Sequence, residues 1–126
     1  MKKVMQFVLV VLACAALMAL SVLSVSAQSN PVKIGILQFA PHASLDNCYE
    51  GIVQGLMNTG FVDGQSAEIE YVNGMGEIET NSLAAQGFVS KKYDIIIAIA
   101  TPSAVASYAA ARDAGIPVVF SAVSDP

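Results

Sequence analysis

The stretch Asp94-Ile-Ile-Ile-Ala-Ile-Ala-Thr-Pro-Ser-Ala-Val105 decides the fold of this chain. Its six consecutive apolar residues, 95–100, are too few to cross a membrane but suit a strand that is buried on both faces, as in a parallel sheet. The run stops at Thr101-Pro102-Ser103, where Thr is a favoured N-cap and Pro suits the first position of a helix. The sequence therefore predicts a central strand that leads directly into a helix N-terminus.

This strand–helix junction is also a candidate binding site. Open α/β sheets bind their ligands at the carboxyl ends of the strands, and the unpaired N–H groups of a helix N-terminus favour anions. We therefore expect a small anion such as a carboxylate to fit there. Thr101 and Ser103 have an alternative role as helix caps, which is compatible with binding.

Apolar periodicity extends the same pattern along the rest of the chain. Three helical segments separate the predicted strands, which lie at residues 31–39, 67–72, 95–100 and 116–120. The order β-α-β-α-β-α-β predicts an α/β fold with a parallel sheet and right-handed crossovers. Polar and apolar residues alternate in the second strand, which indicates a sheet edge.

Two boundaries of the first predicted helix can be placed from its end residues. Ser44 or Asp46 is the candidate N-cap. Gly60 ends the helix, and Phe61 then stands where a Schellman motif makes contact with the last turn, at Leu56.

Residues 1–27 have the pattern of an export signal. Lys2 and Lys3 precede an apolar stretch that extends to Val25, and the small residues up to Ala27 fit a cleavage site. The alternative is an uncleaved membrane anchor, since the stretch is long enough to span a bilayer.

Cys14 offers another alternative for this segment. Val11-Leu12-Ala13-Cys14 loosely resembles a lipobox, whose cysteine carries a lipid anchor. The residues after Cys14 remain mostly apolar, whereas a lipidated cysteine usually begins a polar tether. We therefore expect export with cleavage after residue 27, and favour it over a lipid anchor.

The chain after residue 27 is acidic. It has four basic residues, Lys33, Lys91, Lys92 and Arg112, against ten acidic ones, which gives a net charge of −6. An acidic chain without a basic cluster argues against nucleic acid as a partner.

Residues suited to catalysis or metal binding are few. Cys48 is the only cysteine after residue 27 and His42 the only histidine of the chain, so neither a zinc site nor a Cys–His pair is indicated. The sequence has no phosphate-binding glycine motif and no nucleophile elbow. We expect no enzyme activity, no metal and no cofactor, and interpret Cys48 as a small buried residue on a helix face.

Polar side chains gather in four loops that follow the predicted strands, at residues 38–44, 73–76, 100–103 and 121–126. The carboxyl ends of parallel strands meet at one edge of the sheet, so these loops are predicted to orient a small polar ligand together. Alternative interpretations remain open for three of the residues. His42 suits a solvated loop, Asp46 a helix cap and Asp125 a turn.

Four segments in matching order resemble one protein family. They are Ile34-Gly-Ile-Leu-Gln-Phe-Ala-Pro-His-Ala-Ser-Leu-Asp46, Glu68-Ile-Glu-Tyr71, Ala98-Ile-Ala-Thr-Pro-Ser-Ala104 and Pro117-Val-Val-Phe-Ser-Ala-Val-Ser-Asp-Pro126. Over residues 32–126 the chain resembles the ABC transporter substrate-binding proteins of the tryptophan/tyrosine-binding type, which have the type I periplasmic-binding-protein fold. Ala43 departs from the pattern, because many relatives have Pro after the His.

The resemblance implies a flavodoxin-like α/β lobe, one of two that hold a ligand between them. It implies that residues 28–126 are an incomplete N-terminal lobe from a truncated or partial sequence, and half a cleft should bind weakly. Thr101 and Ser103 are expected to hold a ligand carboxylate. The ligand contacts carried over from the family are Gln38, His42, Thr101, Ser103, Ser124 and Asp125.

The function that the resemblance implies is binding and delivery rather than catalysis. An exported protein of this type carries a small molecule, here an aromatic or other amino acid, to the permease of an ABC importer. It contacts the membrane only through its transporter or a lipid anchor. The alternative is a sensory module, the extracellular receptor of a signalling protein. An enzyme on a flavodoxin-like sheet is a third reading, without a nucleophile–base pair or phosphate loop to support it.

Overall fold

The computed structural model describes residues 1–20 and 30–124, with side chains for residues 1–13 and 30–124. The predicted cleavage after Ala27, the side chain of Cys14 and the predicted contact Asp125 lie outside this part. Its regular elements are α1 (Lys2–Leu20), β1 (Val32–Gln38), α2 (Ala43–Asn58), β2 (Ala67–Asn73), α3 (Ile78–Ser90), β3 (Ile95–Ile99), α4 (Thr101–Ala111) and β4 (Val118–Ser121).

The predicted alternation of strands and helices after residue 30 is confirmed, with small shifts at the ends. The last helix differs most, because α4 ends at Ala111 and a short 3₁₀ turn, Arg112–Ala114, continues it to Gly115. Gly115 has a left-handed backbone with φ 69°, which turns the chain toward β4.

All four strands are parallel and lie in the order β2-β1-β3-β4. The predicted central position of β3 is confirmed, as is the edge position of β2. From β1 the chain crosses to β2 on one side and then returns to β3 on the other. Consequently α2 covers one face of the sheet, while α3 and α4 cover the opposite face.

Two apolar clusters form the core, one on each face of the sheet. Side chains alternate between the faces along a strand, so a central parallel strand must be apolar at nearly every position. Residues of β1 and β3 pack with Leu45, Cys48, Ile52 and Leu56 of α2 on one face. On the other face Leu37 and Ile96 pack with Ala85, Phe88, Tyr93 and Ala111. Cys48 is thus a partly buried helix-face residue, as predicted.

The ends of α2 differ in how well the sequence predicted them. The N-cap is His42, and not Ser44 or Asp46, because the His42 ring nitrogen Nδ1 accepts a hydrogen bond from the Ser44 N–H at 3.3 Å. The C-terminus forms the predicted Schellman motif: Gly60 has φ 93°, and the Phe61 N–H donates to the Leu56 carbonyl at 2.9 Å.

The side chains of α1 are exposed over residues 2–13. Of the helices in the described ranges, none combines the length and apolarity that crossing a membrane requires.

Phe88 packs directly against the backbone of β1 at Gly35. A Cβ at this position would lie 2.8 Å from two atoms of the Phe88 ring. Since Phe88 is fully buried, its ring has little freedom to move away.

We expect Gly35→Ala to lower the free energy of unfolding by about 1–3 kcal/mol, because the added methyl overpacks this contact. Gly51→Ala is the matched control, since a Cβ on Gly51 in α2 meets no atom within 4 Å. Denaturant unfolding of both variants measures the difference. Equal stability of the two variants would contradict the steric account.

A polar network links β2 to the end of α3. The Glu70 carboxylate accepts hydrogen bonds from Lys91 Nζ at 2.9 and 3.0 Å and from the Tyr93 hydroxyl at 2.6 Å. The hydrogen bonds from Tyr93 and then Lys91 hold the pKa of Glu70 below its ordinary value of 4.5. Burial, followed by the bond to Glu70, raises the pKa of Tyr93.

This network predicts that part of the free energy of unfolding is lost at acidic pH. A lowered folded-state pKa stabilises the fold above pH 4.5, and this contribution is lost as the pH falls through the lowered value. Glu70→Gln should remove that part of the pH dependence, whereas Glu79→Gln on the exposed surface of α3 should retain it. Thermal unfolding between pH 7 and pH 3 measures both, and an unchanged pH profile in Glu70→Gln would contradict this assignment.

Candidate functional site

The candidate site lies where the strand order reverses, between the carboxyl ends of β1 and β3. These strands are neighbours, but their following helices cover opposite faces, so the two loops part and leave a crevice. The loops stay connected at their base, because the Phe39 N–H donates to the Ile99 carbonyl at 3.3 Å.

Ala100 connects β3 to α4 in an unusual backbone conformation. It is the N-cap of α4, with φ 78° and ψ 154°, a region that residues other than glycine rarely adopt. Its N–H donates to the Ser121 carbonyl at 3.0 Å, and its own carbonyl accepts from the Ala104 N–H at 3.0 Å. The predicted N-cap, Thr101, is therefore wrong by one residue, because Thr101 is already helical.

Thr101 and Ser124 come together at this junction. The Thr101 hydroxyl oxygen lies 3.5 Å from the Ser124 hydroxyl oxygen and accepts from the Ser124 N–H at 3.4 Å. These bonds are long, so a ligand oxygen could compete for both hydroxyls. In the first turn of α4 the N–H groups of Thr101 and Ser103 have no carbonyl partner inside the helix, whereas Pro102 has no N–H.

Ser103 presents its side chain to the protein interior. The side chain is fully buried, and its hydroxyl donates to Asn81 Oδ1 at 2.7 Å. A ligand contact at Ser103 stays a prediction. Because the hydroxyl is bonded to Asn81, the backbone N–H is the group of Ser103 that is left to make this contact.

Gln38 is fully buried at the end of β1. Its Nε2 donates to the Ala40 carbonyl at 2.8 Å and to Asp46 Oδ1 at 2.7 Å. Its Oε1 has no hydrogen-bond partner among the described residues. Gln38 thus joins the loop after β1 to the first turn of α2, and Asp46 serves that link rather than an N-cap.

His42 lies exposed at the N-terminus of α2, on the same edge of the sheet as Thr101. Its ring nitrogen Nδ1 is 2.8 Å from the Ser44 hydroxyl oxygen, a local contact of the helix cap. Among the described residues no hydrogen bond joins His42 to the Thr101–Ser124 pair. The structure therefore places the predicted residues that it describes, all but Asp125, along one edge, and among these only Thr101 and Ser124 are joined to each other by a hydrogen bond.

Asn81 is a residue of this region that the sequence analysis missed. It is fully buried in α3 and bonds the hydroxyl of Ser103. A signal was present in the sequence, because Asn is unfavourable inside a helix and needs a compensating role there.

An apolar groove of about 340 Å³ lies beside the site, between α4 and β4. Val105, Tyr108 and Phe120 line it, with Thr101 and Arg112 as its polar residues. No acidic side chain of the described residues lines this groove, so it lacks a partner for an ammonium group.

The site has hydroxyls, amides and helix N–H groups, which suit binding of a small polar molecule. Within residues 1–20 and 30–124, no three His, Cys, Asp or Glu side chains are grouped closely enough to hold a metal ion.

Comparison with known proteins identifies relatives of this chain. Residues 33–126 match the family model described as ABC transporter substrate binding protein. A tyrosine-binding protein of Clostridioides difficile is 42% identical over 93 residues, which cover 74% of this chain and 26% of the relative.

Two solved structures have the same fold. A ligand-free, open substrate-binding protein with adhesive properties from Clostridium difficile is 42% identical, with a TM-score of 0.72 over 75% of this chain and 32% of that one. An ABC domain in complex with L-Trp from Streptococcus pneumoniae is 35% identical, with a TM-score of 0.71 over 77% and 32%. The chain thus spans about a quarter to a third of the length of these relatives.

The strained conformation of Ala100 predicts an unusual response to mutation. Ala100→Gly should raise the free energy of unfolding by about 1 kcal/mol, because relief of a strain of about 1–3 kcal/mol exceeds the entropic cost of glycine. Ala98→Gly, in the buried middle of β3, should lower it by a similar amount. Denaturant unfolding compares them, and destabilisation by both would show that Ala100 is not strained.

Proposed function

Because this chain belongs to the family of ABC transporter substrate-binding proteins, we propose that residues 28–126 form one wall of an amino-acid-binding cleft in an importer's extracytoplasmic receptor. The predicted fold class, an α/β lobe with a parallel sheet as in type I periplasmic binding proteins, is confirmed. The family consists of binding proteins rather than enzymes, as the sequence analysis also predicted.

The junction at Ala100 carries this proposal. It presents the N-terminus of α4 and the Thr101 hydroxyl at the end of β3, one of the two strands that flank the strand-order reversal, and the Ser124 hydroxyl approaches from the end of β4. A helix N-terminus carries a partial positive charge and free N–H donors, which suit a carboxylate. We assign the ligand carboxylate to Thr101, Ser124 and the Ser103 N–H.

The other end of an amino acid needs an acceptor for its ammonium group. Asp125, next to Ser124 in sequence, is the carboxylate that we propose for it. Gln38 and His42 complete the proposed site, Gln38 by fixing the loop after β1 and His42 from the exposed helix cap.

An aromatic amino acid is the ligand that we propose. Two relatives support this choice: the Clostridioides difficile protein is named tyrosine-binding, and the Streptococcus pneumoniae domain was solved with L-Trp. These two relatives are 42% and 35% identical to this chain.

Export through residues 1–27 and delivery to a permease complete the proposal. The basic start at Lys2 and Lys3 and the apolar stretch after it support an export signal, with Cys14 as an alternative lipid anchor. Family members typically act outside the cytoplasm, which agrees with this assignment. The permease of an ABC importer is then the protein partner.

Calorimetric titration of the 126-residue chain tests the carboxylate assignment. We expect L-tryptophan or L-tyrosine to bind, and L-tryptophanamide, which lacks the carboxylate, to bind at least about tenfold more weakly, a loss of about 1.4 kcal/mol. Thr101→Ala should weaken L-tryptophan binding by a similar factor. Thr80→Ala, at an exposed position of α3, is the matched control and should bind like the wild type.

Two outcomes would contradict the proposal. Equal affinity for L-tryptophan and its amide would exclude the carboxylate contact at α4. Absence of binding to either amino acid by a folded chain would contradict the ligand class for this lobe.

A further inference from the structure

We propose that Asn81 is a positioning residue, which holds the first turn of α4 and two neighbouring loops in the geometry that the ligand site needs. The inference rests on the proposed function, because the turn that Asn81 holds is the one assigned to the ligand carboxylate. Asn81 itself is fully buried, so the role that we propose for it is not ligand contact.

One hydrogen bond of Asn81 joins α3 to α4, and a second holds its amide against the N-cap of α3. Its Oδ1 accepts from the buried Ser103 hydroxyl at 2.7 Å, and its Nδ2 donates to the Glu77 carbonyl at 3.1 Å. Ser103 lies two residues after Thr101, so this bond fixes the rotation of the turn that carries the proposed carboxylate contact. Both partners are fully buried, so a broken bond would leave polar groups without water to replace it.

Steric contact joins Asn81 to the loop after β2. A Cβ on Gly74 would lie 1.9 Å from Asn81 Nδ2 and 2.6 Å from its Cγ. Gly74 has no positive φ, so the close approach of Asn81, rather than backbone conformation, is what requires glycine there.

The same contact reaches the end of β1. The Gly74 N–H donates to the Gln38 carbonyl at 2.8 Å, and the Gly76 N–H donates to the Phe39 carbonyl at 2.8 Å. Asn81 is therefore connected by one hydrogen bond to the first turn of α4, by one close contact to the loop after β2, and through Gly74 to the end of β1. An apolar side chain could fill this space, but it could not hold Ser103 at a fixed distance and angle.

Two different variants test this role, so that a folding defect in one leaves the other informative. Asn81→Leu keeps the branched shape of the side chain and removes both hydrogen bonds. Gly74→Ala keeps every polar group but displaces the Asn81 amide. The matched controls are Ser107→Ala, one turn further along α4 at a fully buried hydroxyl without a partner among the described residues, and Gly55→Ala, where a Cβ meets no atom within 4 Å.

Two readouts are made on the 126-residue chain at a temperature where circular dichroism shows each variant folded. The first is the Kd for L-tryptophan. The second is the exchange ratio, which is the rate of amide hydrogen exchange in residues 103–106 divided by the rate in the middle of α2. We expect Asn81→Leu and Gly74→Ala to raise Kd at least about fivefold and to speed exchange at the start of α4 about tenfold. Both controls should leave Kd and the exchange ratio unchanged.

The outcomes separate this inference from the proposed function. If Asn81→Leu and Gly74→Ala lower the unfolding free energy but leave Kd and the exchange ratio unchanged, Asn81 is only a stabilising residue and the inference is wrong. If the wild type does not bind L-tryptophan or L-tyrosine, the proposed function fails. The exchange ratio then decides alone whether Asn81 holds the turn, and an unchanged ratio overturns the inference.

Discussion

The parallel pairing of β1 with β3 is the constraint on which the rest of this structure depends. Residues from Ile34 to Gln38 pair with residues from Ile95 to Ile99, so both strands end at the same edge of the sheet. The helix after β1, α2, leads to β2 on one side, whereas the helix after β3, α4, leads to β4 on the other side, so the two helices cover opposite faces. The crevice between the two loops follows from this pairing, before any polar residue is considered.

The polar residues at this edge form two groups, hydroxyls that are not buried and buried side chains that bond the loops to the helices. Thr101 and Ser124 form weak, long bonds to each other and remain available to a ligand. Gln38, Asn81 and Ser103 are fully buried and bond the loops to the helices beneath them. A preorganised site loses less entropy on binding, so we propose that these buried side chains add to affinity although the side chains themselves do not contact the ligand.

Much of the fold could be predicted from the sequence, because apolar runs and helix end signals are local. The six apolar residues at 95–100 predicted a central strand, and Gly60 with Phe61 predicted the Schellman motif. The caps were predicted less well. Thr101 and Asp46 are of the right type for N-caps, but Ala100 and His42 occupy these positions instead. Ala100 is bonded to Ser121 of β4, and His42 caps α2 through a local bond with Ser44.

The site was predicted as a set of residues near one edge, but not as a geometry. Sequence reasoning could not show that the Ser103 hydroxyl turns inward, because its partner Asn81 is 22 positions away in the chain. The close approach of Gly74 to Asn81 was likewise invisible, since glycine in a loop usually indicates only a turn.

Amide proton–nitrogen correlation spectra of the 126-residue chain, recorded during titration with L-tryptophan, test the central claim most directly. The account predicts that the largest chemical-shift changes fall on the amides of Thr101, Ser103 and Ser124, where the carboxylate is assigned. Changes centred on Val105 and Phe120 would place the ligand in the apolar groove between α4 and β4. That result, or the absence of any change, would contradict the account.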